Sequence, residues 1–405
     1  MRSVNETLEL GLKQRQLVAK VAVKPAQDAA LRRFPKAIRR EVSRLVRGSE
    51  RMADLMVTFP GILAALAVKR GGADSIAQAH ALIEDGAALK SVARVLELPM
   101  WLRALPPEAF ETLPQRLPAG ERFSRHIATR LPVYAKDCPL WLSSVCFGYD
   151  AVGEDFAIWL AEQGIFGGHG NPRRMFAVLT AYAWFSCNPE TEANRLIVVP
   201  WRREIAFDTA LCAAKAWFNR VRLVLQLPPG TLTDPWLQAG TADSYTFEPL
   251  LDQHQILAEA HAMQNCADQY ADRLARNNCR LFSIKRRGHR IATMEIGPHN
   301  REVGVLTITQ LKARHNMAAP LEVWQAAYQW LAGQHGLKRI APLATPSAAL
   351  TFDQQAWERL LAPYRAAKDG ADWLDHEARH LMFCSFDAEL AELANRGCVS
   401  SWLFT

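Results

Sequence analysis

"CRLFSIKRRGHRIATMEIGPHNREVGVLTITQLK", residues 279–312, decides the fold, because apolar and polar residues alternate along three consecutive segments. A period of two places successive side chains on opposite faces of a strand. Turn residues separate the segments at Arg287 and Gly288 and again at residues 297–300. The stretch therefore predicts a three-stranded antiparallel meander.

The two faces of this meander differ in chemistry. The apolar face, expected to pack against a helix, carries Phe282, Ile284, Ala292, Met294, Ile296, Leu306 and Ile308. The polar face carries Ser283, Lys285, Thr293, Glu295, Thr307 and Thr309. Lys285 and Glu295 on neighbouring strands are either a cross-strand ion pair or part of the floor of a cleft.

Outside the meander the pattern is helical, and the chain divides into four predicted parts. They are a polar lead-in at 1–34, an all-helical domain at 35–245, an α+β module at 246–335 and a helical C-terminal segment at 336–405. The predicted fold class is mainly α with a small α+β module. A helical N-terminal region precedes the three-stranded meander, and helices flank it on both sides.

Composition narrows the class of protein. The chain has 405 residues, 49% hydrophobic and 22% charged, which is typical of a globular protein. Its net charge of +7 favours an anionic partner, with nucleic acid ahead of a membrane. Eight scattered cysteines without a CxxC pair argue against a zinc ribbon or a disulfide framework, and no apolar leader is evident. We expect a cytoplasmic protein without a membrane-spanning segment.

A cluster of reactive side chains comes directly before the meander. His261, Asn265, Cys266 and Tyr270 fall within ten residues. A cysteine close to a histidine is one arrangement for a nucleophile with its base. A cysteine is also commonly a small buried hydrophobic residue, so both interpretations of Cys266 stay open.

The same region resembles a known family. "MQNCADQYADRLARNNCRLFSI", followed by "ATMEI", "TQLKARHN" and "PLEVWQAAYQW", resembles the PcfJ-like family of conjugative plasmids and other mobile elements over residues 248–335. Matched by position, the candidate cleft residues are Cys266, Tyr270, Thr293, Glu295, Gln310 and Asn316. That family usually has His directly before the Cys, where this chain has Asn265. The resemblance implies a mobile-element context rather than a particular reaction.

A possible zinc motif lies near the C-terminus. His376 and His380 form an HExxH match, in which two histidines one helical turn apart grip zinc. Arg379 places a cation between the two ligands, and no clear third ligand follows. A solvated amphipathic helix is therefore preferred, and no metal or other cofactor is expected.

Two basic segments are candidate nucleic-acid contacts. In "PKAIRREVSRLVR" an apolar stripe of Ile38, Val42, Leu45 and Val46 is separate from a basic set of Lys36, Arg39, Arg40, Arg44 and Arg47. Further along, "GIFGGHGNPRRM" places Arg173 and Arg174 at a helix start that is able to hold a phosphate. For the first segment the alternative is a solvated helix face paired with acidic neighbours. For the second segment the alternative is a capped helix–helix turn.

Three functions are compatible with these features. The leading hypothesis is a PcfJ-like accessory protein of a mobile element that acts on or with nucleic acid or a nucleoprotein. The second is a hydrolase that uses either the zinc motif or a cleft around Cys266. The third is a helical adaptor that binds only other proteins.

Overall fold

The computed structural model describes residues 25–111, 113–127, 130–163, 173–338 and 353–367. The chain is mostly helical with one small antiparallel sheet, which confirms the predicted class. It divides into two compact units between Phe176 and Ala177. No helix of the described ranges has both the length and the apolar character needed to span a bilayer.

The first unit is built from short helices. They are α1 Pro25–Arg32, α2 Lys36–Gly48, α3 Glu50–Thr58, α4 Pro60–Ala67, α5 Gly72–Glu84, α6 Leu89–Val95, α7 Glu121–Ile127, α8 Cys138–Ala151 and α9 Glu154–Glu162. Gly86, with φ of 72°, lies in the break between α5 and α6. The predicted apolar stripe of α2 is buried in full, at Ile38, Val42, Leu45 and Val46.

The second unit combines the sheet with the remaining helices. After α10 Arg173–Ser186, which crosses the division, come α11 Phe207–Gln226, β1 Gly240–Ala242, β2 Tyr245–Pro249, α12 Gln253–Met263, α13 Ala271–Ala275, β3 Arg280–Arg286, β4 His289–Pro298, β5 Leu306–Ala313, α14 Leu321–Ala332 and α15 Gln354–Ala367. The five strands pair in chain order and each pair is antiparallel. The predicted meander is β3–β5.

Strands β1 and β2 were not predicted from the sequence. Three and five residues long, they are too short for a period of two to stand out. Residues 248–275 comprise the end of β2, α12, a 3₁₀ turn at Ala267–Gln269 and α13. At the predicted β3–β4 turn, Arg287 and Gly288 both have positive φ, at 50° and 80°, as a tight hairpin requires.

Both faces of the sheet are covered within the second unit. The apolar face packs on α14, where Trp330 stacks on Phe247 with ring centroids 4.8 Å apart. Leu281 on the opposite face belongs to a second cluster that includes Leu223 of α11 and Leu274 of α13. The polar face of the predicted meander therefore lies beside helices on the α11–α13 side, partly shielded from water.

A β-bulge interrupts the pairing of β4 with β5. Glu295 is paired with Gln310, whereas the next residue, Ile296, is paired with Ile308, so Thr309 is an extra residue. The bulge brings the side chains of Thr309 and Gln310 to the side of Glu295. Gly297 makes this possible, because a Cβ there would lie 2.9 Å from Thr309 Cγ2.

Candidate functional site

The six residues that the sequence singled out line one cleft of the second unit. The lining comprises Asn265, Cys266, Ala267, Tyr270, Leu281, Thr293, Glu295, Gln310, Lys312 and Asn316. The unfilled space is about 270 Å³, counted to its open mouth. That figure includes the open solvent at the mouth. The enclosed space is about 20 Å³, enough for about one water molecule, so any larger group would bind at the mouth rather than inside the cleft.

The end of α12 turns Cys266 and Tyr270 toward the sheet. Gln264 ends the helix in the left-handed conformation, with φ of 48°. The N–H of Asn265 then donates a hydrogen bond to the carbonyl of Ala260 at 3.3 Å. The 3₁₀ turn that follows is held to α11, because Arg220 Nε lies 2.9 Å from the buried Asp268 carboxylate. Burial raises the pKa of Asp268, and the cation of Arg220 opposes that shift.

Glu295 is the centre of the buried network. Arg273 binds its carboxylate in a bidentate manner, with Nη1 to Oε2 at 2.9 Å and Nη2 to Oε1. Tyr270 Oη donates to Oε2 at 2.9 Å, and Thr309 Oγ1 donates to Oε1 at 2.6 Å. A carboxylate offers about four acceptor sites, and here four donors fill them. Glu295 is only 2% exposed, so it positions other groups rather than acting as a base or a metal ligand.

The cross-strand ion pair considered from the sequence does not form. Lys285 Nζ pairs with Glu248 Oε2 instead of Glu295. The reason is β2, whose residues Thr246 and Glu248 lie opposite Lys285 and Ser283 of β3. The partner of Lys285 could therefore not be predicted, because β2 itself was not predicted.

A second network supports Thr293. Its hydroxyl donates to Glu259 Oε1 at 2.7 Å and accepts from Asn265 Nδ2 at 2.7 Å. Arg290 Nε binds the other oxygen of Glu259 at 2.8 Å, and that carboxylate is fully buried. Sequence reasoning missed Glu259, because one acid on an amphipathic helix gives no signal of its own. Thr293 accordingly positions Asn265 at the cleft.

Cys266 has an amide, not a histidine, as its neighbour. Its backbone N–H lies 3.3 Å and its Sγ 3.5 Å from Asn316 Oδ1. Burial raises the pKa of the thiol, and nearby Lys312 lowers it by a smaller amount. His261 is exposed and is not part of the cleft lining. Because the thiolate is the nucleophile, this environment does not favour nucleophilic catalysis.

Tyr270 bridges Glu295 and Gln310. Its hydroxyl lies 2.9 Å from Glu295 Oε2 and 3.0 Å from Gln310 Oε1, yet it has one hydrogen to donate. The carboxylate is the stronger acceptor and takes that hydrogen. Burial, followed by the charge of Glu295, raises the pKa of Tyr270, so the phenol stays protonated and donates to Glu295, with the Gln310 side chain beside it at the cleft mouth.

Asn316 reaches the cleft from a strained loop. His315 and Asn316 both have positive φ, at 59° and 58°. The loop closes where the N–H of Ala313 donates to the carbonyl of Met317 at 2.9 Å. Two consecutive residues other than glycine in this conformation store strain, and such strain commonly accompanies function.

On the basic helix α2, most of the predicted stripe is exposed. Lys36, Arg40, Arg44 and Arg47 are exposed opposite the buried face, and Arg44 pairs with Glu41 at 2.9 Å. Arg39 is different, because its guanidinium caps the carbonyl of Phe34 at 3.0 and 2.7 Å. Arg39 therefore has a structural role that the sequence did not predict.

Two other groups of predicted residues lie outside the described side chains. Arg173 and Arg174 begin α10, but their side chains lie outside the described residues, and so does the whole HExxH segment with His376 and His380. Among the residues that the structure does describe, no group of three or more His, Cys, Asp or Glu side chains is arranged to hold a metal ion.

Comparison with protein-family models, with curated proteins and with solved structures finds no match to this chain.

Proposed function

We propose that this chain is a PcfJ-like accessory protein of a mobile genetic element that acts with nucleic acid, and that α2 contacts the phosphate backbone. The observation that carries the proposal is the exposure of four cations along α2. They are Lys36, Arg40, Arg44 and Arg47, opposite a face that is entirely buried. The net charge of +7 supports an anionic partner.

The stripe has the length of a backbone contact. Lys36 and Arg47 are eleven residues apart, which is about 16 Å along a helix. Like charges four residues apart repel by a few tenths of a kcal/mol, and only Glu41 of α2 offsets that cost. A phosphate backbone would remove the repulsion and release condensed counterions.

The alternatives have weaker support in the geometry. A hydrolase centred on Cys266 would need a thiolate, but burial raises the pKa of that thiol. Glu295 would need a free lone pair to act as a base, but four donors occupy its carboxylate. An adaptor that binds only proteins would need an acidic partner surface to match the cations on the exposed face of α2.

The test is a charge-removal variant of the full chain. In the test variant Arg40, Arg44 and Arg47 are changed to Gln. The matched control changes three exposed cations elsewhere in the first unit, Lys69, Lys90 and Arg94, to Gln. Both variants lose three charges, and neither alters a buried side chain.

Fluorescence anisotropy with labelled DNA and RNA measures affinity and its salt dependence. The test variant is expected to bind more weakly, with a salt slope flatter by up to about 2.7 on duplex DNA, which is 0.9 for each of three lost phosphate contacts. The control is expected to keep the slope of the unmodified chain. If the two variants behave alike, α2 is not the contact surface.

A further inference from the structure

The mouth of the cleft carries hydrogen-bond donors that the buried networks do not use. In register, Lys312 of β5 lies opposite Thr293, and Gln310 lies opposite Glu295, so both side chains belong to the cleft side of the sheet. Asn316 approaches from the loop that follows β5. These three side chains are exposed, whereas Thr293 and Glu295 beneath them are buried.

The orientation of the Asn316 amide is fixed by its neighbour. The backbone N–H of Cys266 can only donate, so the atom 3.3 Å away must be the amide oxygen. The amide nitrogen therefore points away from Cys266. Nowhere among the described residues does it have a hydrogen-bond partner, so it is available to a ligand.

Lys312 adds a positive charge at the same place. It lines the cleft, and its cation lies close enough to Cys266 to lower the pKa of that thiol, against the larger effect of burial. In the part of the chain that the structure describes, no carboxylate forms an ion pair with Lys312, because Glu295 is taken by Arg273 and Glu248 by Lys285.

We infer that Lys312 and Asn316 form an anion site at the cleft mouth that binds a phosphate group. An ammonium and an amide N–H₂ both donate charge-assisted hydrogen bonds to the anionic phosphate oxygens. The enclosed part of the cleft holds only about one water molecule, so the phosphate binds at the exposed mouth, beside Lys312 and Asn316, rather than inside the cleft. The amide of Gln310 at the same mouth offers a further polar contact. The phosphate is supplied either by free phosphate compounds or by the backbone of a nucleic acid.

Cys266 reports occupation of this site directly. Its sulfur lies 3.5 Å from Asn316 Oδ1, so a phosphate bound at the mouth would block reagents from reaching it. The full chain is treated with iodoacetamide, with or without ligand at constant ionic strength, and modification at Cys266 is followed by peptide mass spectrometry. Exposed Cys187 in the same digest is the internal reference.

Three ligand conditions distinguish the sources of phosphate. They are inorganic phosphate, a nucleoside 5′-monophosphate and a single-stranded oligonucleotide. At a ligand concentration ten times its Kd, modification of Cys266 is expected to slow about tenfold, because only the unoccupied protein reacts. If inorganic phosphate or the monophosphate protects Cys266, the site binds free phosphate compounds. If only the oligonucleotide protects Cys266, and does so at low concentration, the site binds the backbone of a nucleic acid. If no ligand protects Cys266, the site does not exist.

Matched variants make the test specific. Asn316→Asp keeps an oxygen facing the Cys266 N–H and tolerates positive φ, but it replaces the outward donors by an acceptor. Lys312→Gln removes the cation, and Arg301→Gln removes an exposed cation of the same unit as a control. Ligand protection, taken as a ratio within each variant, is expected to be lost in the first two and kept in the third. Unchanged protection in Asn316→Asp and Lys312→Gln would overturn the inference.

This site does not depend on the proposed role of α2. The variant in which Arg40, Arg44 and Arg47 are changed to Gln retains Lys312 and Asn316, so inorganic phosphate is expected to protect Cys266 in it as in the unmodified chain. The binding assay can therefore rule out α2 as the contact surface without ruling out the cleft site. The protection assay can likewise rule out the cleft site without ruling out α2.

Discussion

Replacing Arg273 by Met tests whether Glu295 organises the second unit. In the unmodified chain the guanidinium carbon of Arg273 lies 5.2 Å from the centroid of the Tyr270 ring. Met keeps an unbranched apolar side chain over that ring. The change removes both bonds of the bidentate pair and leaves a carboxylate only 2% exposed with Tyr270 and Thr309 as its donors. Breaking a buried ion pair in this way costs about 3–5 kcal/mol. The Arg273 side chain is 46% exposed, so water solvates part of the site and we expect about 2–3 kcal/mol.

Hydrogen exchange of the backbone amides of β4 and β5 measures this loss locally. A cost of about 2–3 kcal/mol lowers their protection factors about 30- to 140-fold, if those amides exchange by opening of the module. Arg276→Met is the matched control, since Arg276 is exposed and three residues away. Adding Glu295→Gln to Arg273→Met should restore part of the protection, because the buried charge is then absent. Equal protection in Arg273→Met and Arg276→Met would refute the organising role of Glu295.

Three further predictions concern the bulge, the thiol and the zinc motif. Gly297→Ala should destabilise the sheet by about 1–3 kcal/mol through overpacking against Thr309, and Thr309→Ser, which removes the methyl group but keeps the hydroxyl, should relieve most of that cost in urea denaturation. Because burial raises its pKa, Cys266 should be alkylated more slowly than exposed Cys187 at pH 7, and raising the pH toward 9 should increase its rate as the thiolate forms; equal rates at pH 7 would contradict this. Purified protein should contain less than one equivalent of zinc, and tightly held zinc that disappears in His376→Ala would show the preference for a solvated helix to be wrong.

The sequence was sufficient for features that depend on local periodicity. Alternation over residues 279–312 identified β3, β4 and β5. The helical spacing of Ile38, Val42 and Leu45 identified the buried face of α2. In both cases the pattern repeats over several residues, so it stands out from the background.

Features that depend on register or on a distant partner were not accessible. The extra residue Thr309 changes which side chains face Glu295, yet one inserted residue leaves no mark on the alternation. Lys285 pairs with Glu248 through a strand too short to recognise, and Glu259 supports Thr293 from a helix 34 residues away. The sequence singled out six residues that line the cleft, but their hydrogen bonds required the fold.

The salt dependence of binding by the unmodified full chain tests the proposed function most directly. Affinity for labelled DNA and RNA is measured by fluorescence anisotropy between about 50 and 200 mM salt. With up to four phosphate contacts along α2, at Lys36, Arg40, Arg44 and Arg47, we expect log affinity for duplex DNA to fall linearly with log salt, with a slope as steep as about −3.6. Absence of binding to every probe, or binding that does not change with salt, would contradict a nucleic-acid function.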